Sequence, residues 1–128
     1  MIHLDTSFLI RALVADSPEG TLLHTWIVGK LPVGISAVPW TEFQCGPLTE
    51  GQIELALALL GEPAGYTAAH AQRAATLFNA VGRRRGSLVD CMVAAVAIEA
   101  GAALATSNPK DFQRFEPHGL RLTTASPI

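Results

Sequence analysis

The sequence predicts an α/β fold in which a parallel sheet is covered by helices on both faces. Two patterns predict it: strand-like segments alternate with helical segments, and each strand-like segment is apolar throughout instead of alternating with polar residues. The length of 128 residues also matches the roughly 100–200 residues of one domain. We therefore expect a single domain over residues 1–128, which binds ligands beyond the carboxyl ends of its strands.

The composition is typical of a folded, soluble protein. Charged residues make up 16% of the chain, against about 25% in an average globular protein, and 49% are hydrophobic, which excludes intrinsic disorder. No apolar run reaches the ~18 residues of a membrane span, and no signal segment follows Met1. We therefore expect a cytoplasmic protein without membrane contact. Cys45 and Cys91 lie in apolar stretches, and we expect both to be buried thiols.

The first part of the chain contains two strand-to-helix junctions. Residues 2–4 form a short buried strand, and the polar residues 5–7 supply caps for the helix that follows. A second helix is predicted over residues 20–28, where apolar residues recur at spacings of three and four. A second strand over residues 33–38 then leads into a helix whose first turn accommodates Pro39.

The middle of the chain contains two helices with clear starting signals. Thr49 and Gln52 have the spacing of a capping box, which predicts a helix that ends at Gly61. Residues 63–66 leave room for a brief strand between two helices. Thr67 caps the next helix, whose apolar positions keep a period near 3.6 as far as the following glycine.

The last part of the chain begins with its most apolar helix. Ser87 caps this helix, which spans residues 88–100 and is apolar on nearly all faces, so we expect it to be buried. A strand over residues 102–106 follows, and residues 108–109 open a turn or short helix. Residues 120–123 complete the sheet as an edge strand.

Four of the eleven acidic residues follow a strand or lie in the first turn of a helix: Asp5, Glu42, Asp90 and Asp111. Each position alone also suits a helix cap or a favourable interaction with the helix dipole. Asp90 needs more explanation, because an unpaired charge buried in an apolar helix costs several kcal/mol. We therefore expect a neighbouring group to compensate it.

A divalent cation is one such group. If Asp5, Glu42 and Asp90 converge at the sheet edge, each pair of carboxylates ~4 Å apart repels by about 4 kcal/mol at an effective dielectric of ~20. Carboxylate oxygens without histidine or cysteine favour Mg²⁺ or Mn²⁺ over zinc. The histidines lack ligand spacing, so we assign no role to them: His3, His24, His70 and His118.

Four segments of the chain, in order and together, resemble the PIN-domain ribonucleases, and most closely the VapC-type toxins of bacterial toxin–antitoxin pairs. They are LDTSFLI at 4–10, ISAVPWTEF at 35–43, DCMVAA at 90–95 and TSNPKDF at 106–112. The resemblance implies a three-layer α/β/α PIN-like domain with a central, mostly parallel sheet. It also implies an acidic site that binds Mg²⁺ or Mn²⁺ and hydrolyses RNA.

The resemblance assigns roles to the acids. Asp5, Glu42 and Asp90 match the first three acids of the family, and the fourth is either Asn108 or Asp111. Because the Asn108 amide carries no charge, we expect one firmly bound ion. Asp5 and Asp90 would hold it, and Glu42 would bind it or accept a proton from its water, so that hydrolysis leaves a 5′-phosphate.

The resemblance also concerns the surroundings of this site. Thr6, Ser7 and Thr106 match small polar positions that orient a carboxylate or a water molecule, although capping explains Thr6 and Ser7 equally well. Three consecutive arginines stand before the helix of Asp90, where they could bind RNA phosphates or only favour a helix dipole. These are Arg83, Arg84 and Arg85.

The family implies protein partners as well. It predicts a homodimer and an antitoxin whose carboxyl-terminal segment lies in a groove and places a basic side chain against the acids. Four leucines could line such surfaces or belong to the core: Leu9, Leu13, Leu55 and Leu59.

Two other functions fit parts of the sequence. A phosphoacceptor receiver domain also uses acids at strand ends with Mg²⁺, but it needs an acidic pair after its first strand, where this chain has Asp5 alone. A catalytically degenerate PIN domain would act as a binding module, and its thermal stability would not respond to Mg²⁺ or Mn²⁺.

Overall fold

The structure, a computed structural model, describes residues 1–125 and contains a four-stranded sheet with helices on both faces. The strands are β1 (Ile2–Leu4), β2 (Val33–Ile35), β3 (Ala103–Ala105) and β4 (Arg121–Thr123). The helices are α1 (Thr6–Ala12), α2 (Pro18–Val28), α3 (Ala37–Gln44), α4 (Glu50–Leu60), α5 (Ala68–Ala80), α6 (Leu88–Ala100) and α7 (Pro109–Phe112), followed by a 3-10 helix (Gln113–His118).

All strands of the sheet are parallel, in the order β2-β1-β3-β4. The register pairs Leu4 with both Ile35 and Ala105, so three strands end at the same level. The residues that follow these strands therefore emerge side by side at one edge of the sheet. This alignment confirms the predicted fold class and determines where polar side chains can meet.

The core consists of two clusters of buried side chains, one on each face of the sheet. The first cluster lies under α5 and α6 and includes Leu77, Ala94 and Phe115. The second lies under α1 to α4 and includes Phe8 and Phe43. Because both faces are covered, the domain has three layers, α/β/α.

Most predicted helix boundaries are confirmed. The capping box of α4 is present at Thr49 and Gln52. The side chain of Thr67 caps α5, and the Thr67 N–H in return donates to Nδ1 of His70 at 2.9 Å. Helix α6 spans the predicted residues and ends at Gly101, whose φ of 64° is left-handed. Helix α2 begins two residues earlier than predicted, because Ser17 caps it ahead of Pro18.

Two strand predictions were wrong in extent. The second strand ends at Ile35, and Ser36 already occupies the N-cap position of α3. The helix can begin ahead of Pro39 because the first-turn N–H groups have no partner within the helix, so a proline there removes no bond. Residues 63–66 form no strand; Ala64 makes a single parallel bridge to Ser36.

The prediction for the cysteines was right for one and wrong for the other. Cys91 is fully buried, whereas Cys45 is exposed because it stands at the C-terminal cap of α3, where the chain leaves the core. Both are free thiols. No helix within residues 1–125 is both long and apolar enough to span a membrane.

Small residues on α6 allow this helix to pack closely in the core. Ala94 is fully buried, whereas Ala100 on the last turn of the same helix is exposed. We expect Ala94→Leu to lower the free energy of unfolding by about 1–3 kcal/mol, because a well-packed core has no room for a larger side chain. The matched substitution Ala100→Leu should change it little. Urea denaturation would compare them, and equal losses would contradict the packing described here.

Candidate functional site

The candidate site lies at the edge of the sheet where β1, β2 and β3 end. A cavity of about 290 Å³ opens there. Its polar lining includes every acid predicted from the sequence and the predicted amide: Asp5, Glu42, Asp90, Asp111 and Asn108. Thr6 and Ser7 also line the cavity, together with the apolar residues Ile10, Val93 and Phe112.

Asp5 is the most firmly held of these acids. Its Oδ1 atom accepts hydrogen bonds from the Phe8 N–H at 2.9 Å and from the Ser7 hydroxyl at 2.7 Å, so Asp5 is the N-cap of α1. Its Oδ2 atom accepts a bond from the Thr106 hydroxyl at 2.6 Å. Burial raises the pKa of Asp5, and the charge of Asp111 adds to this, while the three hydrogen bonds oppose it. The direction of the carboxylate is therefore fixed by two segments of the chain.

Thr106 connects this acid to the loop beyond β3. Its side chain is fully buried, and its Oγ1 atom both donates to Asp5 and accepts a bond from the Asn108 N–H at 2.9 Å. Ser7 makes a second connection, because its hydroxyl oxygen accepts a bond from the Ser107 N–H at 3.1 Å. The structure thus places Thr106 and Ser7, both predicted from the sequence, against Asp5.

Glu42 approaches the cavity from α3. Its side chain is exposed, and its Oε1 atom lies 3.2 Å from the hydroxyl of Thr6. The same hydroxyl lies 3.0 Å from the carbonyl oxygen of Pro39. Thr6 therefore connects the start of α1, which Asp5 caps, to α3, whose last turn carries Glu42. The sequence predicted this acid near the start of a helix, but the first turn of α3 contains no acidic residue.

Asp90 differs from the prediction in its surroundings. It lies in the first turn of α6, where its side chain keeps 30% of its exposure, and Oδ2 is 3.3 Å from an amino group of Arg114. Arg114 is the compensating group that the sequence required but did not identify. Burial and then the charge of Asp111 raise the pKa of Asp90, Arg114 lowers it, and Glu42 adds a smaller increase.

Asn108 and Asp111 are the two alternatives for the fourth position. Both are exposed at the start of α7, and the Asn108 side chain makes no capping bond. The negative charge of Asp111 raises the pKa of both Asp5 and Asp90. Asp111 therefore interacts electrostatically with these two acids, whereas the neutral amide of Asn108 carries no charge.

The residues of the cavity suit a hard divalent cation. They supply carboxylate and amide oxygens, and neither histidine nor cysteine lines the cavity, which favours Mg²⁺ or Mn²⁺. Within residues 1–125, however, no three acidic, histidine or cysteine side chains are grouped closely enough to enclose a metal ion. The donor set fits the ion, while the acids line one cavity without forming a closed cage.

The arginine run lies at the turn between α5 and α6. All three side chains are exposed, and none of them lines the cavity: Arg83, Arg84 and Arg85. Arg83 has a φ of 54° and donates to Oδ1 of Asn79 at 3.0 Å. No sequence pattern pointed to Glu19, whose carboxylate accepts a bond from the Ser107 hydroxyl at 2.8 Å and joins α2 to the loop beside the site.

A larger, open groove of about 450 Å³ lies between α1, α2 and α4. It is lined by three of the four leucines proposed for partner surfaces: Leu13, Leu55 and Leu59. The fourth, Leu9, is fully buried in the core and belongs to no surface.

Comparison with known proteins gives one family and several similar folds. The family model for the PIN domain matches residues 2–116. VapBC2 from Rickettsia felis, bound to a DNA fragment from its promoter, is 22% identical over 97% of this chain and 98% of that one, with a TM-score of 0.80. A toxin–antitoxin complex from Klebsiella pneumoniae is 22% identical over 100% of both chains, with a TM-score of 0.76.

FitAcB from Neisseria gonorrhoeae is 18% identical over 98% of each chain, with a TM-score of 0.75. Likeness at these identities shows that the fold is the same. A search of curated protein sequences finds no match.

The buried charge of Asp5 generates a prediction about pH. The folded state raises the pKa of Asp5 above its ordinary value of 3.8, so the native state retains a proton that the unfolded chain loses. The native state therefore loses stability as pH rises from the pKa of the unfolded chain through the higher pKa of the folded one. Asp5→Asn removes the charge and keeps a good N-cap. With EDTA present, we expect its Tm relative to wild type to increase from pH 4 to pH 8.

The matched control is Asp16→Asn, the same carboxylate-to-amide change at an exposed position, measured at the same pH values. If the Tm of Asp5→Asn relative to wild type fell as pH rises, the three hydrogen bonds would outweigh burial in their effect on the pKa of Asp5. Thermal unfolding followed by circular dichroism would measure both variants.

Proposed function

The chain belongs to the PIN domain family, and from this we propose that it is a metal-dependent endoribonuclease, the toxin of a toxin–antitoxin pair acting in the cytoplasm. The observation that carries the proposal is the cavity where β1, β2 and β3 end, because four separate elements bring acids to it. Asp5, Asp90 and Asp111 each have a structural explanation as a cap or dipole partner, whereas Glu42, expected from the sequence near a helix start, lies in the last turn of α3 and has none. Their meeting in one cavity has none, since grouped carboxylates repel one another.

Asp5 and Asp90 are the residues that would hold Mg²⁺ or Mn²⁺. Such an ion, when bound, supplies positive charge against the scissile phosphate. Thr106 and Ser7 keep the Asp5 carboxylate pointed into the cavity. Glu42, held near Thr6, is exposed and can bind the ion or accept the proton of the attacking water.

The fourth position of the site is filled by Asn108 or Asp111. Both lie on the same short segment at the cavity wall, and either can contribute an oxygen. Hydrolysis by this arrangement leaves a 5′-phosphate. No serine or cysteine nucleophile paired with a base is needed, since the attacking group is water.

The partner proposals rest on the groove and on the similar structures. One of those structures is a toxin–antitoxin complex, and we propose that an antitoxin segment lies in the groove lined by Leu13, Leu55 and Leu59. A basic side chain of that segment would face the acids. The chain itself would form a homodimer, as in its family.

Cleavage of RNA tests the proposed reaction. Purified wild-type protein should cleave a mixed RNA pool with Mg²⁺ or Mn²⁺ and not with EDTA, leaving 5′-phosphates. We expect Asp5→Asn and Asp90→Asn each to lower the rate by about a hundredfold or more, because each removes charge that holds the ion. Asn108→Ala should lower it less than Asp90→Asn. Rates would be read from gels of end-labelled products.

Glu54→Gln, an exposed carboxylate-to-amide change on α4, is the control and should retain the wild-type rate. Equal cleavage by wild type, Asp5→Asn and Asp90→Asn would contradict the mechanism. If Mg²⁺ and Mn²⁺ neither support cleavage nor raise the Tm, the chain is a binding module instead of an enzyme.

The arginine run gives a separate prediction about substrate binding. The guanidinium groups of Arg84 and Arg85 bond to no acceptor within residues 1–125, so both are available for phosphates. With Asp5→Asn to prevent cleavage, replacing both by alanine should reduce the salt dependence of single-stranded RNA binding by about 0.7 per lost contact. Fluorescence anisotropy at several salt concentrations would measure it. The same changes at Arg73 and Arg121 should leave the slope unaltered.

A further inference from the structure

Arg114 occupies a position that ordinary packing does not explain. One of its amino groups lies 3.3 Å from Oδ2 of Asp90, and its guanidinium carbon lies 4.7 Å from the centre of the Phe115 ring. Its Nε atom is buried without a hydrogen-bond partner. A buried donor without a partner is costly, so the fold keeps this cation beside Asp90 although it does not satisfy all its hydrogen bonds.

Other features of Arg114 make it a permanent charge. A guanidinium group does not lose its proton at any pH at which proteins are folded. The guanidinium group also lies over the ring of the fully buried Phe115, an arrangement that stabilises a cation. The positive charge at Asp90 is therefore fixed in place by residues of the 3-10 helix, beyond the sheet edge.

This charge changes the electrostatics of the cavity. Four carboxylates line the cavity, and Arg114 cancels one of their negative charges. One divalent ion then leaves the site slightly negative, whereas two would leave it positive beside a fixed guanidinium. Like charges a few ångströms apart repel strongly in a partly buried site. Asn108 adds to this effect because it offers an uncharged oxygen.

We propose that Arg114 is a built-in counter-cation, which takes the place on Asp90 that a second divalent ion would occupy and so restricts the site to one ion. The inference rests on the proposed function, because it requires that the acids bind a metal. Arg114 does not line the cavity and acts through its bond to Asp90, so it is a positioning residue that determines metal stoichiometry.

Isothermal titration calorimetry of the full chain with MnCl₂ alone tests the proposal without relying on activity. We expect wild type to bind one Mn²⁺ per chain and Arg114→Met to bind two, because methionine retains the apolar contact with Phe115 but carries no charge. Arg114→Lys restores the charge and should return the stoichiometry to one.

Arg73→Met is the matched control. Arg73 on α5 forms an ion pair with Glu99, with a distance of 2.8 Å from Nε to Oε1. Glu99 lies at the end of α6 opposite to Asp90. Its loss removes a comparable ion pair on α6 at a distance from the cavity. This variant should still bind one Mn²⁺.

The outcomes separate the two proposals. Absence of Mn²⁺ binding by wild type would contradict the metal-dependent function itself. Binding of two ions by wild type, or of one ion by Arg114→Met, would overturn the role of Arg114 and leave the metal site intact. Should circular dichroism show Arg114→Met to be unfolded, Arg114→Gln replaces it, since glutamine can still bond to Asp90 without a charge. Two ions are expected there, and one ion would overturn the proposal.

Discussion

The carboxylate of Asp5 is the interaction on which this edge of the molecule depends. It begins α1 by capping it, and it joins the end of β1 to the end of β3 through the hydroxyl of Thr106. A buried charge is tolerated only where hydrogen bonds satisfy it, and three donors surround this one. The local fold and the candidate chemistry therefore share one group.

Features of the fold that depend on neighbouring residues could be predicted from the sequence. The capping boxes of α4 and α5 and the glycine end of α6 lie within a few residues of the structure they determine. The convergence of the acids could also be anticipated, because parallel strands of equal register end together. The end of β2 could not, because Ala37 and Val38 are apolar enough for a strand. In the structure the extended chain stops at Ser36, which bridges to Ala64 and is the N-cap of α3.

Contacts that do not follow from the common edge of the sheet could not be predicted. The sequence showed that Asp90 required a compensating charge, but Arg114 stands 24 positions later, and no local pattern distinguishes it from the other basic residues. The same limit applies to Leu9, because its place in the sequence is compatible with both a partner surface and the core. Its burial depends on how α1 lies against the sheet, which is a property of the assembled domain.

The four acids divide into two pairs with different freedom. Asp5 and Asp90 are partly or fully removed from water, and hydrogen bonds from Thr106 and Arg114 determine where their oxygens lie. Glu42 and Asp111 are exposed, so their side chains can turn toward or away from the cavity at little cost in packing. In such a site, Asp5 and Asp90 determine where an ion would bind, and Glu42 and Asp111 would complete its coordination. This division reconciles a cavity lined by four acids with the lack, within residues 1–125, of any three grouped closely enough to enclose an ion.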